Sequence, residues 1–267
     1  MSSKETKSPA AFESEIALII KDDSDHISKK LASLRKILEY DLKPRPVRII
    51  YDTYYDTPED ILRQRKISLR TRKLRGALLV STKSDVRRIG GNIIRRRELE
   101  LPWSYNSVRL LARTLKLKTP LMPISQFRSI PVRKVLGSMG LEMTQERRTR
   151  REARNVVKSG STPALILAEM AIDRVTYTFQ NTKLGISEVE VEAKSAKGLA
   201  TVQDIARALV SKYHPNLQQW FYGKFVTGLA IQRLLDTKEF HRYILNQGFL
   251  RPEAFELIDR TVKSEGF

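Results

Sequence analysis

Ile186-Ser187-Glu188-Val189-Glu190-Val191-Glu192-Ala193-Lys194 sets carboxylates against valines in strict alternation through its middle. In an extended strand successive side chains point to opposite faces. Glu188, Glu190 and Glu192 therefore share one face, spaced about 6–7 Å apart, and Val189 and Val191 share the other. The valine face needs cover. The acidic face is either an exposed sheet surface paired with arginines or the inside of a polar cavity, where hard divalent cations or matching Arg and Lys would relieve the repulsion.

The same two-faced pattern recurs along the chain. Residues 12–20 read as a strand with Glu13 and Glu15 on one face. A helix is expected over about residues 25–40, then strands from Val47 to Thr53, Ile67 to Arg72, Ala77 to Lys83 and Ile93 to Leu101. They place Arg70, Arg72, Lys83, Arg96, Glu98 and Glu100 on polar faces. Helices are expected from Ser107 to Leu115 and from Val132 to Met139. The charge-rich stretch from Met143 to Val157 reads as a strand, with helix the competitor on propensity; either Arg148 and Arg150 face inward with Arg147 and Arg151 at the surface, or the whole run is an exposed nucleic-acid patch. The next strand, Leu165 to Phe179, aligns Glu169 and Asp173. Helices over about 201–213 and 224–236 follow the carboxylate strand.

About eight short-linked strands, each with a charged face, reverse the pattern of a sandwich, whose inner faces are apolar. The solution is an α+β fold: an eight-stranded antiparallel β-barrel with a polar, charged lumen and helices packed on its apolar outside. Closure also removes the sheet edges. Tyr54, Tyr55, Trp103 and Trp220-Phe221 are expected beneath those helices. Residues 1–11 read as a disordered tail, 12–236 as the barrel domain and 237–267 as a helical C-terminal extension.

Composition narrows the chemistry. The 267 residues include no cysteine, which excludes a thiolate nucleophile, a disulfide framework and any Cys-containing zinc site. His26, His214 and His241 are scattered and form no metal pair. No apolar run is long enough to cross a membrane and no signal peptide is read, so the expected location is cytoplasmic. Lys and Arg outnumber Asp and Glu by 49 to 30, a net +19 that suits a polyanionic partner such as nucleic acid or polyphosphate, or a merely basic, solvated surface.

Taken in order, Tyr55-Asp56-Thr57-Pro58, Ile67-Ser68-Leu69-Arg70-Thr71-Arg72, Asp173 and Ser187-Glu188-Val189-Glu190-Val191-Glu192 resemble the CYTH superfamily, the triphosphate tunnel metalloenzymes, over roughly residues 13–235. The resemblance implies an eight-stranded tunnel acting with Mg2+ or Mn2+ on inorganic triphosphate, thiamine triphosphate, RNA 5′-triphosphate ends or ATP, in the last case by cyclisation. It implies that Glu188, Glu190 and Glu192 hold metal, and that Glu188, Glu190 and Asp173 serve catalysis. Glu13 and Glu15 fall on the N-terminal Glu-x-Glu-x-Lys motif of that family. Arg70, Arg72, Lys83, Arg96, Arg148 and Arg150 would grip phosphates, as would Lys224, whose Gly223-Lys224-Phe225 setting is similar to a late Ser-Lys-Tyr motif. The chain departs from the family at Ala17, where the N-terminal motif has its lysine.

The expected activity is therefore metal-dependent hydrolysis of inorganic triphosphate or a short polyphosphate. Adenylate cyclase, RNA 5′-triphosphatase and a non-catalytic polyphosphate- or nucleotide-binding module are the alternatives. The expected partner is a triphosphate-containing small molecule, a polyphosphate or an RNA 5′ end, with no membrane. Monomer and homodimer both stay open.

Overall fold

The computed structural model describes residues 11–22, 25–90, 92–120, 122–160, 165–180 and 182–266, with the side chain of Asp85 excepted. Of the expected tail, residues 1–10 lie outside the described residues and Ala11 opens the first strand. The chain runs β1 (Ala11–Ile20), α1 (His26–Ser33), β2 (Lys36–Ile37), β3 (Tyr40–Pro44), β4 (Arg48–Asp56), α2 (Ile61–Gln64), β5 (Ser68–Leu74), β6 (Ala77–Ile89) and β7 (Ile93–Pro102). It continues through α3 (Tyr105–Leu115), α4 (Val132–Gly137), β8 (Glu142–Lys158), β9 (Ile166–Phe179), β10 (Thr182–Ala193) and α5 (Leu199–Tyr213). Strand β11 (Leu217–Trp220) and helices α6 (Lys224–Leu235), α7 (Lys238–His241) and α8 (Ala254–Glu265) complete it.

Strands β8, β4, β5, β6, β7, β1, β10 and β9 pair in that order, and β8 pairs again with β9, so eight antiparallel strands close into a barrel. The short β2 and β3 extend from the far end of β8, and β11 pairs with β1 beyond the reach of β7. Most barrel strands keep the two-faced pattern read from their residues; β8 is the exception.

Two helical layers clad the outside. On one wall Ile16, Leu18, Met170, Ile172, Val189 and Val191 are buried under the apolar stripe of α5, Val202, Ile205, Ala206 and Leu209, together with Ile27 and Leu31 of α1. On another, Tyr55, Leu69, Val80 and Leu101 are buried under Val108, Leu111, Ala112 and Leu115 of α3 with Val135 and Leu136 of α4. At the start of α3 the Ser107 N–H donates to Ser104 Oγ at 3.1 Å, satisfying one of the amides a helix leaves unpaired there. Asp56 does the same for α2: its carboxylate accepts from the N–H groups of Thr57 at 2.7 Å, Leu62 at 2.8 Å and Arg63 at 2.9 Å. The aspartate of the Tyr-Asp-Thr-Pro motif thus organises a loop.

Not every helix is on the outside. Ala17, Ile19, Val175, Tyr177, Leu184 and Ile186 share strand parity with the charged lumen residues but sit farther along the barrel, in an apolar cluster with α6 and α8. Helix α6 takes up this end of the lumen. Gln145 Nε2 donates to its Phe225 carbonyl at 3.2 Å and Tyr177 Oη to its Lys224 carbonyl at 2.7 Å. Gly228 permits the approach, because a Cβ there would meet Gln145 Nε2 at 2.4 Å and Tyr177 Cε1 at 2.6 Å. Tyr54, expected beneath exterior helices, points inward and stacks on Phe225 with ring centroids 4.5 Å apart; Trp220 belongs to the same end cluster.

The helix expected over 25–40 stops at Ser33. Leu34 is already extended, and residues 36–44 form the β2–β3 hairpin. Pairing of β3 with β8 over five residue pairs outweighs the apolar spacing that suggested a longer helix.

Candidate functional site

The lumen encloses a cavity of 530 Å³ lined by twelve Lys or Arg and eight Asp or Glu side chains. Their positions follow from register. Glu188 on β10 stands opposite Asp173 on β9, and Glu190 lies two residues farther along the same face. Carboxylate oxygens of Asp173, Glu188 and Glu190 lie within 4.8 Å of one another. Lys224, at the first turn of α6, reaches into this cluster: its Nζ is 3.0 Å from Asp173 Oδ2 and hydrogen-bonds Glu188 and Glu190. Arg151 of β8 donates from Nε to Asp173 Oδ1 at 2.8 Å and from Nη2 to Glu190.

Burial works against ionising these acids, but Arg151 and Lys224 hold Asp173 low, and Lys224 and Arg151 hold Glu190 well below the usual carboxylate range. Glu188, also buried, is pushed up to about 7. Its Oε2 is buried without a hydrogen-bond partner among the described residues. An all-oxygen donor set at this spacing with one uncommitted acceptor fits a hard divalent cation.

A second group lies beside the first, on β1 and the strands next to it. Lys83 of β6 pairs with Glu13, and Arg96 of β7 pairs with Glu15 and lies 3.7 Å from Glu13. Burial tends to raise both acids. Lys83 and Arg96 overcome this at Glu13, which sits at about 2, whereas Glu15 is pushed up to about 8. A third group centres on Asp52 of β4, which accepts from Arg72 at 2.7 and 3.0 Å and from Arg147 at 2.8 and 3.2 Å. Arg70 lies 3.8 Å from Asp52 and donates to Ser81 and Glu98, each at 2.9 Å. Toward the end of the lumen away from α6, Glu169 binds Arg45, and Arg48 at 3.3 Å. Arg48 Nε, Arg96 Nε and Arg147 Nη1 are buried donors without a hydrogen-bond partner among the described residues. A buried guanidinium N–H left unpaired is costly.

Glu13, Glu15, Arg70, Arg72, Lys83, Arg96, Glu188, Glu190, Asp173 and Lys224 converge on the cavity or its wall. Two expectations need correction. Arg148 is exposed on the outer face and Arg150 pairs there with Glu152, while Arg147 and Arg151 point inward. The run around them carries arginine on both faces, so alternation offers no contrast. The face is chosen instead by Asp52 opposite Arg147 and Asp173 opposite Arg151. Glu192 lines the cavity but stays out of the three-carboxylate cluster, its carboxylate accepting from Lys194 at 2.7 Å; Asp173, from the neighbouring strand, is the third member. Asp52, Arg45 and Arg48 were not singled out in the sequence, although Asp52 sits within the strand expected from Val47 to Thr53 and shares its face with Tyr54.

A closed antiparallel barrel clad by helices, with paired carboxylates and cations within, is a tunnel-type domain. Residues 13–218 match the CYTH domain, and the chain belongs to the CYTH family. Among solved structures, a Hippeastrum protein described as a putative adenylyl cyclase with dominant triphosphatase activity is 14% identical, with a TM-score of 0.52, over 82% of this chain and 95% of that one. A Pyrococcus horikoshii protein is 15% identical, with a TM-score of 0.48, over 82% and 99%. A putative adenylate cyclase from Bacillus halodurans is 15% identical, with a TM-score of 0.43, over 83% and 97%. No curated protein matches the chain. No helix among the described residues is long and apolar enough to cross a membrane.

Proposed function

We propose that this chain is a divalent-metal-dependent hydrolase of triphosphate compounds, acting in the cytoplasm on inorganic triphosphate or a short polyphosphate, with residues 12–236 as its catalytic domain. The observation that carries this reading is the convergence of two opposite chemistries on one enclosed space. Asp173, Glu188 and Glu190 form an oxygen cluster, while Lys83, Arg96, Arg70 and Arg147 line the same lumen with cations.

A triphosphate carries about four negative charges, and its tight, oriented capture needs several fixed donors. Arg70, Arg72, Arg96, Arg147 and Lys83 supply them, the buried ones held at a set angle by Asp52, Glu98, Glu13 and Glu15. Asp173, Glu188 and Glu190 would hold Mg2+ or Mn2+, which would supply positive charge to offset the charge that develops on the transferred group. Glu188, with one carboxylate oxygen uncommitted, would accept a proton from the attacking water. Enclosure strengthens each of these interactions by excluding bulk solvent. No covalent nucleophile is required.

A second reading, a module that binds polyphosphate without hydrolysing it, is favoured by Ala17. That residue pairs with Glu190 on one side and Trp220 on the other, within the apolar end cluster. Lys224 brings an ammonium to the same carboxylate from α6 instead. Phosphate release from tripolyphosphate, ATP and triphosphorylated RNA, with Mg2+, with Mn2+ and with neither, tests the proposal. Metal-dependent release from tripolyphosphate supports it. Cyclic AMP from ATP would make the chain a cyclase, release from RNA ends alone an RNA triphosphatase, and binding without release the module.

A further inference from the structure

The lining of the cavity accounts for only a small part of the net charge of +19, because its twelve cations face eight carboxylates. Most of the excess lies elsewhere. One strip of barrel wall carries two of these cations without cover. On the outward faces, Lys73 of β5 pairs with Tyr51 of β4, Tyr51 with Arg148 of β8, and Arg148 with Thr176 of β9, forming one cross-strand row. Neighbouring strands are about 4.8 Å apart, so a cation stands on each side of the phenol ring and the two cations are roughly 10 Å apart.

Tyr51 is 51% exposed, and it belongs to neither of the apolar clusters that the exterior helices cover. Lys73 and Arg148 are both exposed and are in no ion pair among the described residues. In the next row Arg150 and Arg174 are paired with each other by register and are held by Glu152 and Asp25. Glu146, two positions from Arg148 on the same face, bounds the strip on the other side.

We propose that this row is a binding surface for single-stranded nucleic acid, with a base stacked on Tyr51 and the flanking phosphates held by Lys73 and Arg148. An open sheet face with a bare aromatic ring between unpaired cations is suited to unpaired bases, whose faces are free to stack, and its cation spacing matches a span of one to two nucleotides. A duplex offers no exposed base face to the ring. A small phosphate compound would find no enclosure there. The surface is separate from the lumen, so the inference stands whether or not the cavity hydrolyses triphosphate.

The experiment is fluorescence anisotropy of the full chain with a 3′-labelled single-stranded RNA bearing a 5′-hydroxyl, without divalent metal. Tripolyphosphate is added at constant ionic strength to compete for the lumen. The wild type is expected to bind with and without tripolyphosphate. Tyr51→Ala is expected to weaken binding about tenfold with the salt dependence unchanged, since base stacking is largely non-ionic. Lys73→Gln combined with Arg148→Gln is expected to lower the slope of log K against log salt by about 1.4, as two lost phosphate contacts require. Absence of binding at low salt, wild-type affinity in all variants, displacement by tripolyphosphate, or equally tight binding of duplex RNA would each overturn the proposal. All three residues are exposed, and circular dichroism of the variants verifies that they fold.

Discussion

Lys224 Nζ stands 3.0 Å from Asp173 Oδ2, at the centre of three carboxylates contributed by two adjacent strands. This contact joins the helix that closes one end of the barrel to the acidic side of the lumen. Replacing Lys224 by Met keeps most of the length of the side chain and removes its charge, leaving Arg151 as the remaining cation hydrogen-bonded to the cluster. Loss of one partner from a buried ionic group costs about 3–5 kcal/mol. Thermal unfolding of Lys224→Met should show that loss in EDTA, and added Mg2+ should recover more stability in the variant than in the wild type. Equal responses to Mg2+ would place the metal elsewhere.

Glu190 is the carboxylate shared by Lys224 and Arg151. Glu190→Gln preserves shape but removes the charge needed to hold a divalent cation. Phosphate release from tripolyphosphate should fall by roughly 100-fold or more, with an unfolding midpoint measured in EDTA that still reports a folded barrel. An active Glu190→Gln protein would refute the assignment of the metal to this cluster.

The face taken by β8 is open to a direct comparison of neighbours. Arg147 is buried and bonded to Asp52, whereas Arg148 is exposed. Arg147→Ala should destabilise by about 3 kcal/mol and Arg148→Ala by no more than about 0.5 kcal/mol. Chemical denaturation of both variants gives the answer, and a reversed order would mean that the strand presents its other face.

Stability should also depend on pH through Glu15. Burial raises its carboxyl from the usual 4.5 to about 8, so between those values the folded chain keeps a proton that the unfolded chain has released. The resulting stabilisation is complete below 4.5 and is lost as pH rises through about 8, at up to about 1.4 kcal/mol per pH unit. Unfolding midpoints measured from pH 5 to 9 should fall, and Glu15→Gln should flatten that fall. An unchanged slope in the variant would assign the effect to another group.

Gly228 lets α6 enter the barrel. A methyl group there would meet Gln145 and Tyr177 at distances no relaxed Cβ tolerates, so Gly228→Ala should displace the helix at a cost of about 1–3 kcal/mol. Because Lys224 lies on the same helix, tripolyphosphate turnover should fall as well. Full stability in this variant would show that α6 is not wedged against β8 and β9.

Much of this architecture is written locally. Period-two alternation in Glu188-Val189-Glu190-Val191-Glu192, repeated in Leu69-Arg70-Thr71-Arg72 and in Glu98-Leu99-Glu100-Leu101, has a charged face that cannot be the core of a sandwich, and the structure closes those faces around a lumen. Where both faces of a strand carry charge, as from Glu146 to Arg154, alternation is silent and the choice passes to the partners across the ladder, Asp52 and Asp173. The β2–β3 hairpin and β11 are too short to signal themselves and exist because β8 and β1 offer them open backbone edges.

By itself, then, the chain of residues determined that there would be a barrel, that its inside would be charged, and that acids on the strands of Glu13 and Glu190 would face basic groups, because side-chain periodicity is a property of each segment alone. Only the tertiary structure decided which arginines face inward, that Asp173 rather than Glu192 completes the carboxylate cluster, and that α6 closes an end with Lys224 at its tip. Those outcomes depend on register and on contacts between segments far apart in sequence, which no local pattern encodes.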